Sequence, residues 1–107
     1  MYKLNIKPLS LNHAYRGRRF STPELKEYKR SIYLMAPKLK IVSKKLKIRF
    51  EFGVSHRGCD GDNLIKCAQD SLADKYGFND NSIYKWEIEK VMVPSGQEYI
   101  AFEITEI

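Results

Sequence analysis

Residues 59–72 read Cys59-Asp60-Gly61-Asp62-Asn63-Leu64-Ile65-Lys66-Cys67-Ala68-Gln69-Asp70-Ser71-Leu72, and no other stretch of the chain packs reactive groups so densely. Two carboxylates, an amide and a lysine fall between Asp60 and Lys66, just ahead of an amphipathic pattern. With a helix starting near Asp62 and turning about 100° per residue, Leu64, Ile65, Ala68 and Leu72 share one face, and Asp62, Lys66, Gln69 and Asp70 the other. Core and chemistry therefore separate. Asp60 and Asp62 sit where the helix dipole favours carboxylates, Gly61 is expected to let the backbone turn sharply, and Lys66 projects one turn on beside Asp62. A plainer reading fits the same spacing: Asp62 caps the helix and Lys66 is its i,i+4 partner, an arrangement adding only about 0.3–0.5 kcal/mol. A calcium loop does not fit, because Leu64 and Ser71 stand where oxygen ligands and a bidentate Glu are required.

Upstream, Leu46, Ile48, Phe50 and Phe52 alternate with Lys47, Arg49 and Glu51, a strand that delivers the chain through Ser55-His56-Arg57-Gly58 to Asp60. The candidate site thus lies at a strand end, held by a rigid scaffold. Downstream, Gly77 is placed to cap the central helix and Asn79-Asp80-Asn81-Ser82 follows. Asp80 is either a turn-forming residue or a third carboxylate brought to the site. A strand from Ile83 to Val93 comes next, and Pro94-Ser95-Gly96 is expected to turn a hairpin into Tyr99–Ile104, with Ile100, Phe102 and Ile104 on one buried face.

At the N-terminal end, Tyr2, Leu4 and Ile6 alternate with polar residues up to Pro8, a half-buried strand. Residues 9–21 read as a loop. Its Asn12, His13, Tyr15, Arg16, Arg18, Arg19 and Phe20 suit phosphate contact and base stacking, although a solvated surface loop has the same composition. Thr22-Pro23-Glu24 then starts a helix running to about Ala36, with Leu25, Tyr28, Ile32 and Met35 as its buried stripe and Pro37 as its stop. Glu24-Leu25-Lys26 and Glu27-Tyr28-Lys29 match the acid-x-Lys half of a nuclease motif. They lie on a helix, where that motif requires a strand. Residues 38–47 form a basic connection.

The elements give one domain of α+β class, with two main helices in the order β-α-β-α-β-β. At 107 residues, 43% hydrophobic and 30% charged, the chain can bury a core without staples. Nineteen Lys and Arg against 13 acids leave a net charge of +6, which suits a polyanionic partner. Cys59 and Cys67 lack zinc spacing and a disulfide framework, and read as reduced thiols. No apolar run reaches membrane-spanning length and Met1–Pro8 lacks a signal-peptide core, so a cytoplasmic location is expected.

With these residues in view, the chain resembles the RusA-like Holliday junction resolvases, endodeoxyribonucleases of bacteria and phages. The likeness covers nearly the whole length. Asp60-Gly61-Asp62-Asn63-Leu64-x-Lys66 is similar to the family's Asp-x-Asp-Asn-x-x-Lys motif; Asp70 follows in the helix, and Asp80 follows Gly77-Phe78, where the family has its third acid. Ser10-Leu11-Asn12 with Tyr15-Arg16 is similar to the N-terminal Ser-x-Asn segment. Cys59 stands where some members carry another arginine, leaving Arg57 as the nearer cation. The resemblance implies a mixed or antiparallel sheet, a homodimer, and Asp60, Asp62 and Asp80 as ligands of Mg2+, or alternatively Mn2+, with Lys66 as an essential helper. It implies paired nicking of four-way junctions in DNA recombination and repair, with Asn12, Tyr15, Arg16, Arg18, Arg19 and Arg57 on the DNA. A non-cleaving DNA-binding module and a nuclease acting on flaps or RNA are the alternative readings.

Overall fold

Thr22 begins the first long helix as its residue type requires. In the computed structural model, which describes residues 1–16, 20–58 and 61–107, its Oγ1 accepts from the Leu25 amide at 3.3 Å and donates to the Ala14 carbonyl at 3.1 Å. Pro23 follows at the first helical position, where no N–H is needed. This helix, Pro23–Met35, buries Leu25, Tyr28 and Ile32. Met35, expected in the same stripe, is 48% exposed, and the small Ala36 takes the inward place as the helix ends.

In chain order the elements are β1 (Tyr2–Leu4), α1 (Leu11–Ala14), β2 (Tyr15–Arg16), β3 (Phe20–Ser21), α2 (Pro23–Met35), β4 (Leu46–Val54), α3 (Gly61–Tyr76), a 3₁₀ turn (Asp80–Ser82), β5 (Ile83–Met92) and β6 (Tyr99–Glu106). The principal elements follow the expected β-α-β-α-β-β order. The expected loop over residues 9–21 needs correction: it contains the single turn α1 and a small antiparallel ribbon, β2 with β3. Ala14 is fully buried and ties α1 to Thr22, a tertiary contact that no local periodicity announces.

The main sheet has the order β1-β6-β4-β5, with β4 parallel to β5 and antiparallel to β6. The hairpin expected from Val93 to Tyr99 is therefore absent: β4 lies between β5 and β6. Residues 93–98 step over the end of β4, a crossing of about 10 Å for two strand spacings. The Val93 amide bonds to the Val54 carbonyl at 2.8 Å, and Gly96 turns at φ 91°. Tyr99 lands on Gly53, where an added Cβ would lie 2.3 Å from its ring, and its hydroxyl reaches Glu51 Oε2 at 2.8 Å. A Pro-Ser-Gly turn is compatible with either topology. The choice goes to β4, whose Ile48, Phe50 and Phe52 are fully buried and profit from a neighbour on both sides, whereas β5 is largely exposed and stays at the edge. β6 is buried at four successive residues, Tyr99 to Phe102, and not merely on the alternate face expected.

Ile48, Phe50, Phe52, Ile100 and Phe102 form one core with Leu25 and Ile32 of α2 and Leu64, Ala68 and Leu72 of α3. The opposite face of the sheet is charged, with Lys47 Nζ 2.9 Å from Glu87 Oε1. The crossover β4-α3-β5 is what positions the site. It puts the start of α3 just past the C-terminal end of β4, and Gly77, at φ 74°, ends α3 so that the chain can return through the Asp80 turn into β5. Lys75 fixes the far end, its Nζ donating to the Ala36 carbonyl at 2.6 Å and to that of Tyr33, which satisfies the end of α2.

Candidate active site

Asp62 occupies the first turn of α3, and Lys66, one turn on, shares its exposed side. Gly61 opens this helix and a Cβ there would meet nothing within 4 Å, so no close approach calls for glycine, and the two residues before it, where the chain enters the helix, lie outside the described residues. The ion partners of Lys66 also differ from the plainer expectation. Its Nζ lies 3.1 Å from Asp70 Oδ1 and 3.6 Å from Asp80 Oδ2, so the i,i+4 partner is Asp70 and not Asp62. The hydrogen bond to Asp70, opposed by partial burial and reinforced by the charges of Asp70 and Asp80, raises the Lys66 pKa and holds the ammonium charged.

Asp80 reaches this helix from outside it. Asn79, in extended conformation, accepts the Asn81 amide on its side chain at 3.2 Å and the Ser82 amide on its carbonyl at 2.9 Å, which closes the 3₁₀ turn that Asp80 begins. Gly77 and that turn fold the chain back so that Asp80 Oδ1 accepts from Gln69 Nε2 at 3.3 Å. Gln69 Oε1 in turn accepts from the indole Nε1 of Trp86 at 2.8 Å. Gln69 was expected on the solvent face with Lys66 and Asp70; it is 8% exposed, because β5 covers that flank of the helix. Gln69 and Trp86 are the site residues that sequence reasoning passed over. The one signal for them was the chain's single tryptophan, placed on the strand that follows Asp80.

A concavity of about 930 Å³ opens beside the start of α3, and its lining includes Ser10, Asn12, His56, Gly58 and Asn63. It brings the N-terminal Ser10-Leu11-Asn12 segment to the same cleft as Asn63 of the central motif. Arg57 is exposed at the rim of the β4–α3 connection, where the carbonyl of that residue accepts from Lys90 at 3.4 Å. Asp60, Arg18, Arg19 and the side chains of Tyr15 and Arg16 lie outside the described residues. Among the described residues, no group of three or more His, Cys, Asp and Glu side chains is close enough together to hold a metal ion. No described helix is long and apolar enough to cross a membrane.

A one-layer mixed sheet backed by two helices, with carboxylates and a lysine gathered along the crossover helix, defines a small α+β domain. The family model described as endodeoxyribonuclease RusA matches residues 2–102, and the chain belongs to that family. A search of curated proteins found no match.

Proposed function

We propose that the protein is a metal-dependent endodeoxyribonuclease that resolves four-way DNA junctions by paired nicks, acting as a homodimer in recombination and repair in the bacterial cytoplasm. One observation carries the reading: Asp80, distant in sequence from Lys66, is delivered to within 3.6 Å of it, on the helix that also carries Asp62. A purely solvated ion pair has no need of the turn and the amide that hold Asp80 there.

The donor chemistry fits a hard divalent cation, since the carboxylate oxygens of Asp62 and Asp80 are the ligand type that Mg2+ and Mn2+ prefer, and Asp60 would complete the set. When bound, such an ion supplies Lewis-acid polarisation of the phosphate and a more acidic water. The protein groups do the rest. Lys66 presents a fixed positive charge where negative charge develops on the phosphate, and needs no reorganisation to do so. Crowded carboxylates repel one another, and Lys66 balances Asp70 and Asp80 in the interim. Asn12, Tyr15, Arg16, Arg18, Arg19 and Arg57 would contact the DNA backbone and offset the acids, while a two-fold dimer matches a nearly two-fold substrate.

Labelled four-way junction, flap, duplex and RNA are each incubated with the protein, with Mg2+ and with chelator. Symmetric, Mg2+-dependent nicks in the junction are expected. Binding without nicks would favour the non-cleaving module, and preferred cutting of flaps or RNA the broader nuclease.

A further inference from the structure

The side chains behind Asp80 form a chain whose direction is fixed by their chemistry. An indole N–H can only donate, so Trp86 determines which end of the Gln69 amide is oxygen. The amide nitrogen is thereby turned toward Asp80. Flipping the amide would set two donors against each other at Trp86 and oxygen against carboxylate at Asp80, and a side chain only 8% exposed has little water to relieve that. Asp80 thus has a different partner on each oxygen: a neutral donor on Oδ1 and the Lys66 ammonium on Oδ2. A neutral amide orients a carboxylate without cancelling its charge, which is left to face Lys66 and any cation bound beside it.

We propose that Gln69, locked in place by Trp86, is a positioning residue that sets the rotamer of Asp80 for divalent-cation binding, so that Trp86 is coupled to that site. The proposal rests on the reading of Asp80 as a ligand. It assigns a role to a residue on the strand β5, remote from the Asp60–Lys66 motif, and to the buried amide between them.

Because Trp86 is the chain's one tryptophan, its emission reports on the hydrogen bond of its N–H. Mg2+ alone is titrated into the intact protein, with Trp86 emission and calorimetry as readouts. In the wild type the emission should shift on binding. Gln69→Met keeps similar volume but makes neither bond; it should lose the emission response and weaken Mg2+ binding by about 10-fold or more, as outer-shell partners of metal sites do. Trp86→Phe keeps a ring on the partly exposed strand and should weaken binding by a smaller factor in calorimetry. In a separate arm without ion or DNA, Asp80→Asn should shift Trp86 emission, because its amide disturbs Gln69. Wild-type Mg2+ affinity and cleavage in a folded Gln69→Met, or unchanged emission in Asp80→Asn, would overturn the coupling. Should Gln69→Met fail to fold, undiminished Mg2+ binding by Trp86→Phe overturns it instead. A wild type that neither binds Mg2+ nor nicks junctions would remove the catalytic reading, and the Asp80→Asn arm would still decide whether Gln69 links Asp80 to Trp86.

Discussion

Helices α2 and α3 look alike as sequences: both are amphipathic, and both carry acids and lysines on the polar side. Their polar faces have different fates. On α2 the charges stay solvated, with Lys29 making an exposed contact of 3.4 Å to Asp74. On α3 the turn at Asp80 and the strand β5 fold over the flank, burying Gln69 and adding the Asp80 carboxylate to the i,i+4 pair that Lys66 makes with Asp70. The comparison teaches that a polar helix face becomes a candidate site through what a distant segment brings to it, and not through its own composition.

The strongest way to break this contrast is to neutralise one acid on each helix. If Asp62 is the metal ligand proposed above, Asp62→Asn is expected to abolish cleavage while leaving junction binding intact or tighter, since a ligand and a negative charge beside the phosphate would be lost; Glu27→Gln on α2 should leave the rate near wild type. Nicking and gel-shift assays on the same preparations test the pair, and near wild-type cleavage by Asp62→Asn would remove it from the site.

A lysine pair sharpens the contrast next. Lys66→Ala should lower single-turnover cleavage by about 10²- to 10³-fold at saturating Mg2+, with little change in melting temperature because its ion pairs are largely exposed. Lys29→Ala should change neither. Rescue of Lys66→Ala by excess Mg2+ would instead identify Lys66 as a group that only arranges the acids.

For stability the order reverses, and α2 is the more sensitive helix. Thr22→Ala removes the cap of α2 and its bond to Ala14, at a cost of about 1–2 kcal/mol. A lower urea midpoint at unchanged slope, with the cleavage rate of the remaining folded protein intact, is the expected result.

The smallest effect is in alkaline pH. The Lys66 pKa is raised in the folded state, chiefly by its hydrogen bond to Asp70. Its contribution to stability is therefore fully present below the ordinary lysine value of 10.5 and is lost as pH rises through the higher folded value. The melting-temperature difference between wild type and Lys66→Ala should be small and flat below about pH 10 and shrink above it. A difference that grows with pH would contradict the ion-pair geometry.

How much was legible beforehand follows from the range of each interaction. Thr22-Pro23 marked a helix start because capping acts within three residues, and Gly77 marked its counterpart in α3 because a left-handed backbone favours glycine wherever it occurs. Leu46 to Phe52 showed its alternation because one face of β4 meets the core. The same short-range logic failed at Pro94-Ser95-Gly96, since a turn reports only that the chain reverses, not which strand it will join.

By itself, the sequence determined the class of the domain, the long helices with their caps, and the motif from Asp60 to Lys66, because each of these is written in the spacing of neighbouring residues. Only the tertiary structure decided that β4 separates β5 from β6, that Asp80 is brought to Lys66, and that Gln69 is buried against Trp86. Those outcomes depend on which surfaces exclude water together, and burial of that kind is a property of segments far apart in the chain.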